Sequence, residues 1–165
     1  MKLNRQSLVL VPILLLAACG TSTAAGTGST SGNPPAASPS ASTAAQGTSV
    51  VAVGNATVSG ASKSVLTDTA GLTLYYRTDE GPTTIKCTGG CATNWPPLML
   101  ASGTPSASGS VSGTLTTFDG ANGRQVLYNG HPLYRFASDG APGEAKGEGL
   151  LGIWHVATPD LAAAM

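Results

Sequence analysis

The feature that most constrains this chain is an internal repetition at a fixed offset. Shifting the sequence by 59 positions lays residues 71–95 on residues 130–154 without a gap. It pairs Gly71 with Gly130, Leu74 with Leu133, Tyr75 with Tyr134, Gly81 with Gly140, Gly90 with Gly149 and Trp95 with Trp154. Glu80 meets Asp139 at the same offset. All the identical pairs but the leucines are glycines and aromatics, the types that turns and cores demand most strictly, so two copies of one supersecondary unit are expected.

That unit is built of strands. From Val50 onward, short runs of Val, Leu, Thr and Tyr alternate with Gly, Asn, Asp and Pro, and no 3.6-residue apolar period is sustained. The sharpest signal is Asn129-Gly130 between residues 124–128 and 131–136. A type I′ turn needs positive φ at both central residues, and Asn-Gly meets that need best. A two-residue turn fixes the register: Tyr128 opposes His131, Leu127 opposes Pro132, Val126 opposes Leu133, Gln125 opposes Tyr134, and Gly123 opposes Phe136. Pro132 then falls in a non-hydrogen-bonded pair, where its missing donor does no harm. In the first copy, residues 65–68 and 72–77 form the corresponding hairpin.

Alternation reads differently in the two copies. Tyr134 and Phe136 share one face in the second, whereas Leu72, Leu74 and Tyr76 share a face in the first and leave Tyr75 beside Arg77. Cover on both faces, as in a small sandwich, reconciles them. The expected fold is therefore all-β, a small antiparallel sheet or sandwich over residues 50–160. Repeat one spans about residues 64–98 and repeat two about 114–157. A Gly/Ser-rich segment between them, residues 101–113, reads as a flexible excursion.

The first fifty residues carry a different message. Lys2 and Arg5 precede an apolar run from Leu8 to Leu16, too short for a permanent membrane span. Leu16-Ala17-Ala18-Cys19 resembles the bacterial lipobox, which implies a signal peptide of residues 1–18 and a diacylglyceryl group on Cys19. Two or more acyl chains anchor a protein stably, where one is marginal. Residues 20–49 are almost entirely Ala, Ser, Thr, Gly and Pro without a charge. Together with Cys19 they read as a lipidated, disordered tether (residues 19–49), because large apolar side chains are too few to offset ordering entropy. Its root-mean-square reach is about 30 Å.

The mature chain would hold six basic and eight acidic residues, a net charge of −2. That argues against nucleic acid as a partner and leaves membrane attachment to the lipid anchor. A cell-envelope polymer or protein remains the expected partner class.

Cys19 resolves an odd cysteine count and leaves Cys87 and Cys91 in an oxidising compartment. A structural disulfide is the first reading, since Gly89-Gly90 lets so short a ring close. The alternatives are a redox pair, with one residue more than the usual Cys-x-x-Cys spacing, or metal held with His131 and His155. The aromatics Tyr75, Tyr76, Trp95, Tyr128, Tyr134 and Trp154 read as core anchors, with a sugar-stacking platform as the alternative. Glu80 and Asp139 follow strands and read as turn caps. Asp139, Glu144 and Glu148 are the only calcium candidates, at a spacing unlike a known loop. Gly109-Ser110-Val111-Ser112-Gly113 has Val111 where a hydrolase elbow needs its nucleophile. No catalytic residue, cofactor or metal is expected.

The segment from Leu133 through Tyr134, Arg135 and Phe136 to Asp139 is similar to the Tyr-x-aromatic-x-x-Asp signature of a bacterial family of secreted-repeat lipoproteins. Cys87 through Trp95-Pro96-Pro97-Leu98 resembles that family's cysteine-to-Trp-Pro-Pro segment. The motif positions here are Tyr75, Glu80, Trp95, Tyr134, Phe136, Asp139 and Trp154. The first copy departs from the signature, with Arg77 for the aromatic and Glu80 for the terminal Asp. The resemblance implies a repeat lipoprotein outside the cytoplasm and brings no activity with it. The sequence thus reads as a non-catalytic binding or structural module, with redox or metal handling through Cys87 and Cys91 as the alternative.

Overall fold

The computed structural model describes residues 47–165. The expected signal peptide, Cys19 and the tether through residue 46 lie outside the described residues. The elements, in chain order, are β1 (Thr48–Val58), β2 (Ala61–Thr67), β3 (Tyr75–Arg77), α1 (Gly90–Asn94), β4 (Pro105–Ser108), β5 (Leu115–Gly120), β6 (Gly123–Tyr128), β7 (His131–Pro132) and β8 (Trp154–Val156). A 3-10 turn, Leu150–Gly152, precedes β8. The fold is all-β, in three small sheets ordered β2-β1-β4, β3-β8 and β5-β6-β7. Every strand pair in them is antiparallel except β1 with β4, which is parallel.

The Asn-Gly hairpin forms with Tyr128 opposite His131 and Leu127 opposite Pro132. Asn129 and Gly130 take φ of 49° and 83°, as the turn requires. Leu133 N–H then donates to Val126 O at 3.0 Å. Beyond Leu133 the expected register fails. Gln125 pairs with Met99, Gly123 pairs with Gly120, and Tyr134 pairs with Tyr75 and Pro97. The pairings of Gln125 with Tyr134 and of Gly123 with Phe136 do not form, because the backbone of Tyr134 is already committed to the other repeat.

In the first copy, Thr67 bridges Thr73, and Asp68 N–H donates to Leu72 O at 2.9 Å. Asp68 Oδ1 accepts from the amides of Ala70 and Leu72, closing the turn in the manner of an Asx motif. This turn is one residue longer than Asn-Gly. Leu66 consequently occupies the place of Val126, each carbonyl accepting from the Leu of its Tyr strand.

The two repeats exchange strands. The β3 strand of repeat one pairs with β8 of repeat two, setting Tyr75 opposite Val156 and Arg77 opposite Trp154. Reciprocally, Tyr134 of repeat two bridges Pro97 of repeat one. The matching bonds recur at the 59-residue offset. Leu98 N–H to Leu133 O, 2.9 Å, mirrors Ala157 N–H to Leu74 O, 2.8 Å. Ala137 N–H to Asn94 O and Thr78 N–H to Ile153 O are both 2.9 Å. On the pseudo-twofold axis, Tyr75 N–H donates to Tyr134 O at 2.8 Å and Tyr134 N–H returns the bond at 2.9 Å.

These central strands are covered on both faces. One core holds Leu66, Leu74, Leu98, Val126, Tyr128 and Leu133. The other holds Val65, Tyr75, Cys87, Trp95, Tyr134 and Trp154. The alternation is the same in both copies, with Leu74 and Leu133 facing one core and Tyr75 and Tyr134 the other. The chemistry of the next positions, Tyr76 and Arg77 against Arg135 and Phe136, made the copies look opposed.

Residues 101–113 are built into the fold, contrary to the expected flexible excursion. They contain β4, pair with β1 from Thr48 onward, and receive Arg124 Nη2 on Gly103 O at 2.8 Å. Small side chains suit a strand lying alongside β1, and its hydrogen-bonding groups are sufficient to hold it there. The last residues are also fixed, since Ala164 N–H donates to Asn129 O at 2.9 Å.

Trp154 is 1% exposed at the centre of the second core. Trp154→Ala is expected to cost about 3–5 kcal/mol, measured as the shift in chemical-denaturation midpoint.

Candidate functional site

The motif aromatics Tyr75, Trp95, Tyr134, Phe136 and Trp154 converge on the second core, whereas Tyr128 lies in the first and Tyr76 packs against it. Trp95 and Trp154 stack face to face, 3.8 Å between centroids and 4° between planes. Tyr75 meets Trp95 edge-on at 5.4 Å, and Tyr134 meets Trp154 likewise at 5.2 Å. Phe136 covers the outer face of Trp95 at 4.4 Å. In the other copy Arg77 takes that place, its guanidinium 5.8 Å from the Trp154 ring centroid. A cation over the indole face is attracted by the ring quadrupole, so Arg77 substitutes for an aromatic without breaking the stack. Asp79 holds it there, with Arg77 Nε 2.7 Å from Oδ1.

Tyr75 and Tyr134 are fully buried, Trp154 and Trp95 nearly so. They are core anchors, and these four rings offer no platform on which a sugar could stack.

Glu80 and Asp139 are buried as well. Tyr75 Oη donates to Asp139 Oδ2 at 2.5 Å, and Tyr134 Oη donates to Glu80 Oε2 at 2.7 Å. Each tyrosine thus bonds the acid of the other repeat. The remaining carboxylate oxygens accept backbone amides: Asp139 Oδ1 from Lys146, and Glu80 Oε1 from Lys86 and Cys87, both at 2.7 Å. The local turn caps expected of them do not form, since the Gly140 amide goes to Glu144 and the Gly81 amide to Thr84 O; the acids instead close loops lying six or seven residues on. The bonds to tyrosine went unanticipated. Their only trace in the sequence is that both acids follow a tyrosine by five residues.

Burial pushes both tyrosine pKa values well above the usual phenol range, and the hydrogen bond to a carboxylate adds to it. The phenols remain neutral donors, and the carboxylates have their oxygens engaged. Such an arrangement stitches the two repeats together.

Cys87 and Cys91 form a disulfide with a Cα–Cα distance of 5.1 Å. Gly89 adopts φ 56° within the ring, and Cys87 is completely buried. The proposed metal set does not assemble, because both thiols are consumed. His131 and His155 instead both neighbour Tyr76, with centroids 4.7 and 6.1 Å from its ring. Burial lowers the His131 pKa, partly offset by the bond of its Nε2 to Ala162 O. His155 Nδ1 lies 3.0 Å from Glu148 Oε1. The three calcium candidates have separate partners: Asp139 as above, Glu144 with Lys146 and the Gly140 amide, Glu148 with His155 and the Val156 amide. Among the described residues, no group of three or more His, Cys, Asp or Glu side chains is placed to hold a metal.

Tyr134→Phe leaves Glu80 Oε2 buried without its donor and is expected to cost about 1–3 kcal/mol in denaturant unfolding. The folded state holds the phenolic protons more tightly than the unfolded chain. This stabilisation is complete below about pH 10 and falls as the pH rises past it. In an alkaline titration of phenolate absorbance, Tyr75 and Tyr134 should stay silent until the domain unfolds. Removing either as Phe should leave the native portion of the curve unchanged.

Two segments of the chain, residues 56–99 and 116–158, each match the Lipoprotein_15 family, described as a secreted repeat of unknown function. No curated protein and no solved structure matches the chain. The matched segments contain both hairpins, both Tyr strands and both tryptophans, and together they make up more than half of the sequence. The protein therefore belongs to this secreted-repeat family and carries two intertwined copies of its unit.

Proposed function

We propose that the protein is a lipid-anchored module on the extracytoplasmic face of a bacterial membrane, acting by binding or scaffolding rather than by catalysis. The observation that carries this reading is the occupancy of its reactive groups. Glu80 and Asp139 have their oxygens filled by tyrosine and backbone donors, and buried Cys87 is joined to half-buried Cys91. An active site needs a group held ready for a substrate. Here the groups that would serve are used to hold the repeats together. The surface that remains is the natural place for a partner, a cell-envelope polymer or another envelope protein.

Anchoring rests on Leu16-Ala17-Ala18-Cys19 at the end of an apolar run, in a family that is secreted. Cys19→Ser should block acylation and processing at this position, giving a chain that is unprocessed or cleaved elsewhere. Wild-type protein found wholly in the culture supernatant with an unmodified N-terminus would exclude the anchor.

The redox alternative makes the opposite demand on Cys87 and Cys91. A stapling disulfide should yield no free thiols under native conditions and a midpoint below about −300 mV against a dithiothreitol buffer. A midpoint near about −200 mV would instead indicate a working redox pair. Replacing both cysteines with Ala should cost about 2–3 kcal/mol, since the ring closed is so short.

A further inference from the structure

The turn before β8 contradicts ordinary packing in two ways at once. Leu151 is 85% exposed, and Leu150 beside it is 38% exposed. Leu151 also sits in the left-handed region, at φ 56° and ψ 11°, between Leu150 and Gly152. A leucine gains nothing from water and loses energy at positive φ, where glycine is the usual solution. Backbone strain of this kind persists where the surroundings impose it and the position is used.

The fold does not require the leucines. The equivalent positions in repeat one are Cys91 and Ala92 on α1, where one residue is tied into the disulfide and the other is small. Repeat two makes its turn with the two leucines and three glycines, at 147, 149 and 152. That turn is rigid. Gly149 N–H donates to Trp154 O at 2.8 Å, Gly152 N–H to Gly149 O at 3.0 Å, and Ile153 N–H to Leu150 O at 3.2 Å. Leu150 N–H is also used, on Gly147 O. The leucines thus stand on a closed base whose amides are largely satisfied within the turn.

We infer that Leu150 and Leu151 form a membrane-contact tip that dips into the lipid surface to which Cys19 tethers the chain. This rests on the lipid-anchor reading. Three observations select lipid over a protein partner. First, the tip is apolar, and the amides of Gly149, Leu150, Gly152 and Ile153 already have partners, so entering the interface strands few polar groups. Second, residues 149–154 contain no charge. The charged side chains around them are paired among themselves: Lys146 with Glu144, Glu148 with His155, Arg77 with Asp79. Third, only 27 residues separate Cys19 from Gly47, where the described domain begins. Even fully extended, that many residues span no more than about 95 Å, so an anchor at Cys19 confines the domain to the neighbourhood of the bilayer. Tethering then adds to the tip's own affinity, because it makes the second contact effectively intramolecular.

The test uses the mature-length chain, residues 19–165 with Cys19→Ser, made without the signal segment so that no acyl chain contributes. It is floated with neutral phosphatidylcholine vesicles and with the same vesicles supplemented with phosphatidylglycerol. Measurable flotation is expected in both, with no gain from the anionic lipid. The double variant Leu150→Asn, Leu151→Asn should reduce partition by about tenfold or more. Leu151→Gly separates contact from folding, since it should leave the melting temperature unchanged or raised while weakening flotation. Absence of flotation, or flotation indifferent to these substitutions, overturns the inference. So does a change in sedimentation-determined oligomeric state caused by the double variant, which would assign the tip to a second copy. An acyl-free Cys19 in wild-type membranes would defeat the anchor reading alone, because the flotation assay does not depend on it.

Discussion

Everything in the described domain depends on the reciprocal pairing of Tyr75 with Tyr134. Their main chains exchange two hydrogen bonds on the pseudo-twofold axis, and their side chains reach past it to the acid of the opposite copy. Neither repeat can complete its sheet alone, since β3 pairs across the repeats with β8 and Tyr134, and Tyr134 pairs with Tyr75 and Pro97 of repeat one. The carboxylates that receive the tyrosines also order the loops leading to the disulfide and to Lys146. Strand pairing, side-chain bonding and loop closure are therefore coupled, and a defect in one is felt in the others.

Symmetry holds at the centre and relaxes with distance from it. The tyrosines, tryptophans and acids are shared by both copies, and their partners correspond. One step outward the copies solve the same problem with different chemistry. Arg77 held by Asp79 covers Trp154, while Phe136 covers Trp95. A three-residue turn closed by Asp68 stands where the other copy uses Asn129-Gly130. Asp68 also meets Arg135, whose Nε lies 2.6 Å from Oδ2, so it fastens the first turn to the second Tyr strand. At the periphery the correspondence is lost, with a disulfide and short helix in one copy and an exposed Leu150-Leu151 turn in the other.

The parts legible in the sequence were those set by local rules. Positive φ at Asn129-Gly130, the harmless position of Pro132, and the recurrence of Gly, Tyr and Trp at a 59-residue spacing are written in short stretches of chain. What escaped was decided between distant segments. A hairpin continued by its own register would pair Gln125 with Tyr134, yet both backbone groups of Tyr134 are taken by Tyr75, 59 residues away. Residues 101–113 look like a linker because Ser, Ala and Gly pattern weakly, whereas β4 is specified by β1 lying beside it. The bonds of Glu80 and Asp139 to tyrosine escaped because each acid's partner lies in the other copy.

The exchange also explains why a cluster rich in tyrosine, carboxylate and tryptophan is structural. Catalysis and binding need such groups at a surface, with lone pairs or protons to offer. An intertwined dimer-like core needs them inside, where a neutral phenol and a carboxylate satisfy one another. A chain this poor in large apolar residues, with only two Phe and two Trp among 165 positions, has few other means of fastening two halves. The residues most conspicuous in the sequence are thus spent on cohesion. The differences between the copies, which the core does not need, are where interaction with the surroundings has room to arise.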